Sequence, residues 1–442
     1  MSDSVKIFGG IPLVGEITPV PNKNAILACL PACILTDEPM IYRNIPKTTD
    51  VEKMFQMLRL MGATIDDSNY DLVTINCSKL TTFRVDKDLG SLIRSSIMFA
   101  GPLLARFGKA EIPVPGGCVL GKRSISAHID VFTKAGVRID YLSDGYVRFI
   151  APKKQEKHYR IWQFEASVTG TENLLLYAAG INSNIELTDA ACEVHVQELE
   201  TLLTHMGATI QGIGSNKITT YGKNKLNGTE YLPGPDFVDI GGLSVAAAIT
   251  KGRIVIKNGN VYEAIGGIID TLRKFNIKVI DQGNDLIIDG SNDLYIDAKT
   301  TGFPLAGEDL PKFVPRPWPG FPVDLLPVMV VLACKTKGRL MMQNWMYETG
   351  LDFIRELGAL GANIYMSDPQ RIIVSGPINF TGGKVVSPGV IQACKAIFLA
   401  GLADPVTTTI HGVEILKRRY PAIFDNYRKL GAKIEGPTES HY

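Results

Sequence analysis

One pattern recurs six times along this chain of 442 residues and restricts the folds that are open to it. In each copy a helical stretch ends at a small residue and a β-rich strand follows. In the first five copies a polar or glycine-containing turn then leads into a second strand. The six helix-ending residues are Gly62, Gly136, Gly207, Asn276, Gly361 and Gly431. Such regular self-similarity predicts six related α/β units.

The six units are too small to fold singly, because a segment of about 70 residues buries too little apolar surface. A stretch rich in Pro and Gly at 229–241 separates the third copy from the fourth, and an insertion around 302–324 separates the fourth from the fifth. We therefore predict two similar domains of three units each, one over 21–231 and the other over 1–20 with 232–442. One continuous array is the alternative, although six-copy solenoids normally use shorter repeats.

Several of the predicted helices are apolar over most of their length. An example is SLIRSSIMFAGPLLARFG, for which we expect one helix over 91–106. Helices of this composition are buried on most sides. The sequence therefore predicts domains with internal helices and outer sheets.

Composition argues against several functional classes. The formal net charge is +1, so no overall field would attract nucleic acid or an anionic membrane. No apolar run reaches the ~20 residues that span a bilayer, and the first residues do not resemble a secretion signal. Seven scattered cysteines indicate free thiols in a reducing cytosol, and no Cys/His spacing suggests a metal site. We expect a cytoplasmic protein without a cofactor, whose oligomeric state the sequence does not indicate.

The stretch PVPGGCVLGKRSISAH at 113–128 carries the strongest chemical signal. It places one thiol, Cys118, among three glycines, with Lys122 and Arg123 close behind. The glycines favour a loop, and a thiol near positive charge loses its proton more easily, which makes it reactive. The alternative is a glycine-rich turn whose cysteine is an inert apolar filler.

Cationic side chains occur in unusual positions elsewhere. Lys23 and Asn24 begin a long apolar helix, whose free N–H groups would help a lysine to bind an anion. Arg94 lies within an apolar helical stretch, where a buried arginine needs an anionic partner. Each of these, and the basic cluster at 417–419, could be an ordinary surface or paired charge. Together with the thiol loop they indicate a phosphorylated ligand.

Asp324 directly precedes the apolar stretch LLPVMVVLA. It could cap the helix that this stretch predicts, or it could act as a general base in a cleft. The sequence alone favours the cap.

Together these motifs resemble the enolpyruvyl transferases, in the family's order and from one end of the chain to the other. The PGGC loop followed by G-x-R is the most specific element of the resemblance. The other pieces include Lys23-Asn24-Ala25, Arg94-Ser95-Ser96, SVTGTENLLL at 167–176, FPVD at 321–324 and RYPAIFDNYRKLGA at 419–432. The resemblance implies an α/β fold, an inside-out α/β barrel with two similar domains, each of three βαβ-type units. That fold agrees with the six-copy repeat.

The resemblance also implies an activity. The enolpyruvyl group of phosphoenolpyruvate would pass to a hydroxyl of a UDP-sugar, UDP-N-acetylglucosamine, with release of phosphate, as the first committed step of peptidoglycan synthesis. The implied partners are phosphoenolpyruvate and a nucleotide-sugar or nucleotide acceptor. By match, Cys118 is a proton donor that fosfomycin can trap, and Asp324 is the base for the acceptor hydroxyl.

The remaining matched residues would bind the two substrates. Lys23, which we also assign to catalysis, would surround the phosphate of phosphoenolpyruvate together with Arg123 and Arg418. Asn24 would lie near the acceptor, and Arg94 would lie on the ligand side. The loop that would hold the nucleotide diphosphate consists of Ser167, Val168, Thr169 and Gly170.

Some positions depart from the pattern of the family. Gly350 and Gln392 stand where the family has arginines that bind the carboxylate of phosphoenolpyruvate. Losing both should weaken binding unless Arg355, Lys395 or Lys417 takes their place.

Around the nucleotide, Glu165 replaces a family lysine and Ser126 a family aspartate. Three hypotheses follow from the intact and altered positions. The chain is a UDP-N-acetylglucosamine enzyme with local substitutions, or a specialised transferase for another nucleotide such as UMP in nucleoside-antibiotic synthesis. The third hypothesis is a non-catalytic paralogue that binds a nucleotide sugar.

Overall fold

The computed structural model describes residues 4–114, 124–299, 302–307 and 309–436. The described chain divides into two compact units. Residues 21–114 and 124–234 form the inserted unit, and the described residues of 4–20 and 235–436 form the terminal unit. In the sequence, the described residues of the inserted unit thus lie between the two described segments of the terminal unit.

Thirteen α-helices and four short 3-10 helices occur in the described residues. The α-helices are α1 (Lys23–Cys29), α2 (Thr49–Met61), α3 (Lys87–Leu92), α4 (Ala100–Phe107), α5 (Ser126–Lys134), α6 (Val168–Ala179), α7 (Val194–His205), α8 (Phe237–Ile249), α9 (Tyr262–Lys274), α10 (Leu326–Cys334), α11 (Ile354–Ala359), α12 (Ile391–Ala403) and α13 (Ile423–Lys429). The 3-10 helices are Leu30–Leu35, Arg94–Phe99, Val323–Leu325 and Val413–Arg418.

The described residues also form 23 β-strands. They are β1 (Ser4–Phe8), β2 (Val14–Ile17), β3 (Met40–Arg43), β4 (Thr64–Asp66), β5 (Leu72–Asn76), β6 (Lys109–Pro113), β7 (Arg138–Tyr141), β8 (Tyr146–Ile150), β9 (His158–Trp162), β10 (Asn184–Thr188), β11 (Thr209–Gln211), β12 (Lys217–Tyr221), β13 (Glu230–Tyr231), β14 (Arg253–Ile256), β15 (Lys278–Gln282), β16 (Asp285–Asp289), β17 (Lys312–Phe313), β18 (Gly338–Gln343), β19 (Ile364–Asp368), β20 (Arg371–Gly376), β21 (Gly383–Val386), β22 (Thr407–His411) and β23 (Lys433–Glu435).

The strands build six sheets that repeat one arrangement. Two strands run parallel, the second pairs antiparallel with a third, and the third pairs antiparallel with a fourth. The inserted unit contains the sheets β13-β3-β5-β4, β9-β10-β12-β11 and β6-β8-β7, and the terminal unit contains β2-β14-β16-β15, β17-β18-β20-β19 and β21-β22-β1-β23. In the three-stranded sheet a parallel bridge between Arg84 and Glu111 takes the place of the first strand.

The helices fall into a buried class and an outer class. Every residue of α8 and α10 is buried, and α6 is buried from Gly170 onward. An outer helix such as α9 buries one face instead, through Ile265, Ile268, Ile269 and Leu272, which follow the helical period. The strands carry exposed residues between buried ones, as the pattern of β12 illustrates. Internal helices and outer sheets confirm the predicted inside-out α/β fold of repeated units.

The six predicted helix-ending residues all adopt the left-handed backbone conformation. Their φ angles are 107° at Gly62, 80° at Gly136, 107° at Gly207, 64° at Asn276, 94° at Gly361 and 96° at Gly431. A side chain with a Cβ rarely adopts these angles, which is why Gly or Asn stands there. The repeat prediction is confirmed at each copy.

Among the residues that the structure describes, the sixth copy has one strand after its helix, and β1 pairs with that strand. β23 pairs antiparallel with β1, and β1 pairs on its other side with β22. Within this sheet Lys6 faces both Thr409 and Glu435. The N-terminal strand therefore completes the last unit of the repeat.

The single helix expected over 91–106 is wrong. α3 ends at Leu92, and Ile93 is extended, with φ −130° and ψ 136°. The 3-10 helix Arg94–Phe99 and then α4 follow. The hydroxyl of Ser96 donates to the carbonyls of Gly90 and Ile93, and such local bonds compete with continuation of an α-helix.

Candidate active site

The predicted site residues are distributed over both units. Lys23, Asn24, Arg94 and the loop 167–170 belong to the inserted unit, and Asp324 and Arg418 belong to the terminal unit. Cys118 and Arg123 lie outside the described residues. Arg418 is half-buried at the end of the 3-10 helix Val413–Arg418.

Lys23 stands at the capped start of a buried helix. Asn22 Oδ1 accepts hydrogen bonds from the backbone N–H groups of Asn24 and Ala25, which fixes the first turn of α1. Lys23 is 8% exposed, and its Nζ donates to Asp50 Oδ2 at 3.0 Å. Asp50 is also buried, so the carboxylate compensates for removing the ammonium from water. The pair holds a positive group in a fixed place at the helix start.

Arg94 begins the 3-10 helix Arg94–Phe99 and is half-buried, so it does not lie inside an α-helix as the sequence suggested. Its Nη2 donates to the backbone carbonyl of Ser124 at 3.1 Å. Ser124 directly follows Arg123 in the sequence. Arg94 therefore contacts the chain next to one of the predicted phosphate ligands.

The loop 167–170 forms the N-terminus of α6. Ser167 is the capping residue, and its Oγ accepts a hydrogen bond from the N–H of Gly170 at 3.2 Å. Val168 and Thr169 occupy the first turn. The first turn of a helix favours anions, because its N–H groups and the helix dipole are directed outward.

Sequence reasoning missed His128, which lies in α5 beside this loop. His128 is 1% exposed, and its Nε2 is 3.1 Å from Thr169 Oγ1. Burial, and then the charge of Arg94, lowers the pKa of the imidazole to about 3. His128 is the last residue of the glycine-rich stretch 113–128. Its contact with Thr169 depends on the packing of α5 against α6, which the local sequence does not specify.

Asp324 lies in the 3-10 helix Val323–Leu325, and its side chain is 34% exposed. Neither this turn nor α10 has a side-chain capping bond, so the capping role that the sequence alone favoured is wrong. Instead, Asp324 Oδ2 lies 3.4 Å from Arg419 Nη1.

Arg419 is a second residue whose role the sequence did not reveal, because a solvated basic cluster was one interpretation of 417–419. The side chain is buried, and it donates two hydrogen bonds to Asp236, from Nε at 2.7 Å and from Nη2 at 2.8 Å. Asp236 also caps α8 through the N–H groups of Val238 and Asp239. Burial lowers the pKa of the guanidinium, but Asp236, Tyr420 and Asp324 together raise it by more, so the net shift is upward. Arg419 therefore stays charged.

The three cations suggested as replacements for the family arginines have different surroundings. Arg355 is exposed on the outer helix α11, and Lys417 pairs with Glu414 at 3.0 Å. Lys395 lies one turn beyond Gln392 on α12 and is completely buried.

Lys395 Nζ lies 2.7 Å from Asp239 Oδ1 and 3.8 Å from the centroid of the Tyr420 ring. The hydroxyl of Tyr420 accepts a hydrogen bond from Gln392 Nε2 at 3.1 Å. The positive charge of Lys395 is therefore compensated within the unit by a carboxylate and an aromatic face.

Gly350 lies in a turn that is built for glycine. A Cβ at this position would lie 2.0 Å from Asn344 Nδ2. Asn344 is 2% exposed, and its Oδ1 accepts hydrogen bonds from the N–H groups of Met346 and Tyr347. An arginine at 350 would have to displace Asn344.

The fold is that of an enolpyruvyl (carboxyvinyl) transferase. Residues 7–427 match EPSP synthase (3-phosphoshikimate 1-carboxyvinyltransferase), and the chain belongs to this family. Among curated relatives, the UDP-N-acetylglucosamine 1-carboxyvinyltransferase of Treponema denticola is 36% identical over 429 residues, which cover 97% of this chain and 98% of the relative. The enzyme of the same name from Bacteroides thetaiotaomicron is 34% identical over 438 residues, covering 98% and 99%.

Two solved structures are similar in fold. The enolpyruvyl transferase NikO from Streptomyces tendae has a TM-score of 0.84 at 20% identity and 98% coverage of both chains. EPSP synthase from Acinetobacter baumannii has a TM-score of 0.74 at 18% identity, covering 98% of this chain and 100% of its own. At such identities the similarity shows the shared fold alone.

In the part of the chain that the structure describes, no helix combines the length and apolar character that crossing a membrane requires. The same residues contain no group of three or more His, Cys, Asp or Glu side chains that could hold a metal ion.

Proposed function

We propose that this protein transfers the enolpyruvyl group of phosphoenolpyruvate to a hydroxyl of UDP-N-acetylglucosamine and releases phosphate, as the first committed step of peptidoglycan synthesis. The observation that carries the proposal is the identity of 36% and 34%, over nearly the whole of both chains, to enzymes named for this acceptor. The phosphate-side residues Lys23 and Arg418 and the loop 167–170 are present in the family's order.

The proposed reaction is an addition followed by an elimination. The acceptor hydroxyl adds to C2 of phosphoenolpyruvate and loses its proton to Asp324, while C3 gains a proton from Cys118. The resulting tetrahedral ketal then loses phosphate from C2 and a proton from C3, which restores the double bond. A partly exposed carboxylate and a reactive thiol are suitable groups for these proton transfers.

Lys23, Arg123 and Arg418 are proposed to stabilise the phosphate of phosphoenolpyruvate as it leaves. The burial of Lys23 supports this role, because a fixed charge acts more strongly on a ligand where water is excluded. Asn24, at the same helix start, is proposed to contact the acceptor, and Arg94 to contact the ligand from the side of Ser124.

Arg419 supports Asp324 as the proposed base. Two of its N–H groups are bonded to Asp236, and a third lies 3.4 Å from Asp324 Oδ2. This long contact orients the carboxylate, and Oδ1 of Asp324 has no hydrogen bond among the described residues. The second oxygen can therefore accept the proton of a substrate hydroxyl.

The test is phosphate release from phosphoenolpyruvate with a panel of acceptors. We expect release with UDP-N-acetylglucosamine and not with UMP or without an acceptor. Release with UMP alone would replace the proposed acceptor and support the specialised transferase. No release with any acceptor, although the ligands bind, would support the non-catalytic paralogue.

Labelling with fosfomycin tests the assignment of the thiol. Cys118→Ser should abolish covalent labelling, whereas Cys192→Ser, at a half-buried cysteine elsewhere in the inserted unit, should leave it unchanged. Burial raises the pKa of Cys192, which makes that thiol less reactive. Labelling that survives Cys118→Ser would remove Cys118 from the mechanism.

A further inference from the structure

His128 has no role in the reaction described above, yet both of its ring nitrogens have defined partners. Nε2 is 3.1 Å from Thr169 Oγ1, and Nδ1 is 3.1 Å from Asn173 Nδ2. Thr169 and Asn173 lie one turn apart on α6, so the imidazole of α5 contacts two successive turns of that helix.

The side-chain amide of Asn173 has one orientation, because two backbone groups determine it. Its Nδ2 donates to the carbonyl of Ile97 at 2.8 Å, and its Oδ1 accepts from the N–H of Gly101 at 2.7 Å. A carbonyl can only accept and a backbone N–H can only donate. Nδ2 is therefore the atom that faces His128.

The fixed amide determines the tautomer of His128. Asn173 Nδ2 donates, so His128 Nδ1 accepts and carries no proton. The proton of the neutral ring then resides on Nε2, which donates to Thr169 Oγ1. The pKa of about 3, lowered first by burial and then by Arg94, keeps the ring neutral near pH 7.

This tautomer determines whether the hydroxyl of Thr169 donates or accepts a hydrogen bond. Its oxygen already accepts a hydrogen bond from His128, and its own O–H donates to no described residue. Thr169 is half-buried in the first turn of α6, beside the capping residue Ser167. A hydroxyl that must donate, at a helix N-terminus, is complementary to a phosphate oxygen.

We propose that His128 is a positioning residue that fixes the hydroxyl of Thr169 as a hydrogen-bond donor to the diphosphate of the nucleotide acceptor. The inference rests on the proposed function only in taking a nucleoside diphosphate as part of the acceptor. Thr169 contacts the ligand, and His128 acts through Thr169.

Calorimetric titration with UDP and with uridine tests the role of Thr169. Thr169→Val should weaken UDP binding by about tenfold, because one hydrogen bond to a charged group is lost, and should leave uridine binding unchanged. Thr169→Ser keeps the hydroxyl and should bind UDP nearly as the wild type does. Equal UDP affinity for wild type and Thr169→Val, or a wild type that binds UDP no more tightly than uridine, overturns the proposal.

His128 is tested by a double-mutant cycle with the same two ligands. His128→Phe should weaken UDP binding in the wild-type background and have no further effect in the Thr169→Val background. His128→Gln can present an N–H close to the position of Nε2, so it should recover part of the UDP affinity. A purely structural role would instead lower the melting temperature and weaken UDP binding equally in both backgrounds.

The binding experiments test the role of Thr169, and the phosphate-release assay tests the proposed activity, so either hypothesis can be rejected without the other. Loss of UDP affinity in Thr169→Val, without turnover by the wild type, would retain this inference and remove the proposed activity. Turnover by the wild type with unchanged UDP affinity in Thr169→Val would do the reverse.

Discussion

Arg419 and Asp236 form a buried ion pair whose partners cannot be removed singly without cost. Arg419→Met would leave the Asp236 carboxylate, 0% exposed, without its bidentate partner. We expect the free energy of unfolding to fall by about 3 to 5 kcal/mol. Urea unfolding followed by circular dichroism measures the change.

The control is an exposed pair in the same unit. Arg371 and Asp368 are 3.0 Å apart, with side chains 52% and 35% exposed. Arg371→Met should therefore cost less than about 1 kcal/mol. Similar losses for the two variants would contradict the structural role of the buried pair.

The two glycines Gly350 and Gly358 should respond differently to replacement by alanine. Gly350→Ala places a Cβ 2.0 Å from Asn344 Nδ2 and should destabilise the protein by about 1 to 3 kcal/mol. Gly358 has open space around its Cβ position on α11, so Gly358→Ala should be neutral or stabilising by up to about 1 kcal/mol. Thermal unfolding of both variants checks the difference, and a neutral Gly350→Ala would show that Asn344 moves freely.

At the scale of single elements, α7 is joined to the turn between β11 and β12 by a carboxyl group. Glu200 is completely buried, and its Oε2 accepts a hydrogen bond from the N–H of Gly214 at 3.2 Å. Burial raises the pKa of this carboxyl to about 7, although the bond from Gly214 lowers it. The folded protein therefore keeps the proton of Glu200 to a higher pH than the unfolded chain.

The sign of the pH dependence follows from this shift. Between about pH 4.5 and 7 the folded state binds more protons at Glu200, so stability is lost as the pH rises through this range. Glu200→Gln should match the wild type near pH 4.5 and exceed it by up to about 3 kcal/mol at pH 8. Urea unfolding at the two pH values measures how the stability difference grows with pH, and Glu165→Gln, at an exposed position, is the control for removing one charge. A constant difference at both pH values would exclude Glu200 as its source.

Local rules explain which elements the sequence could predict. The helix ends were predictable because Gly and Asn at 62, 136, 207, 276, 361 and 431 meet a conformational requirement within one turn. The break at Ile93 was not predictable, because no Gly or Pro marks it. It depends instead on the hydrogen bond from the Ser96 hydroxyl to the carbonyl of Gly90. The apolar composition of the buried helices made them recognisable in the sequence. It did not locate their first and last residues to within a few positions.

At the site, the types of the functional residues were predictable from the sequence, but the residues that they contact were not. A lysine at the start of an apolar helix was visible, but its pairing with Asp50 brings together residues from two helices. The burial of Arg419 depends on Asp236, 183 positions away, and the role of His128 depends on α6. Contacts over such separations arise from packing and have no local signature.

At the scale of the whole molecule, β1 occupies an inner position in its sheet, with β22 on one side and β23 on the other. Lys6→Pro removes a backbone N–H from the sheet and should destabilise the terminal unit by about 1 to 3 kcal/mol. Lys6→Thr keeps the N–H and suits a strand, so it serves as the matched control.

Hydrogen exchange with mass spectrometry can locate the effect of this substitution. We expect protection to fall in β1, β22 and β23 for Lys6→Pro, while the inserted unit, with its own three sheets, retains its protection. An equal loss of protection in both units would mean that they unfold together.

The position of β1 also has a consequence for synthesis of the protein on the ribosome. β1 is translated long before its partner strands β22 and β23, which lie within 407–435. By the time those strands are translated, the inserted unit, complete at residue 234, has had time to form. β1 therefore remains without the two strands that enclose it until residues 407–435 have been translated.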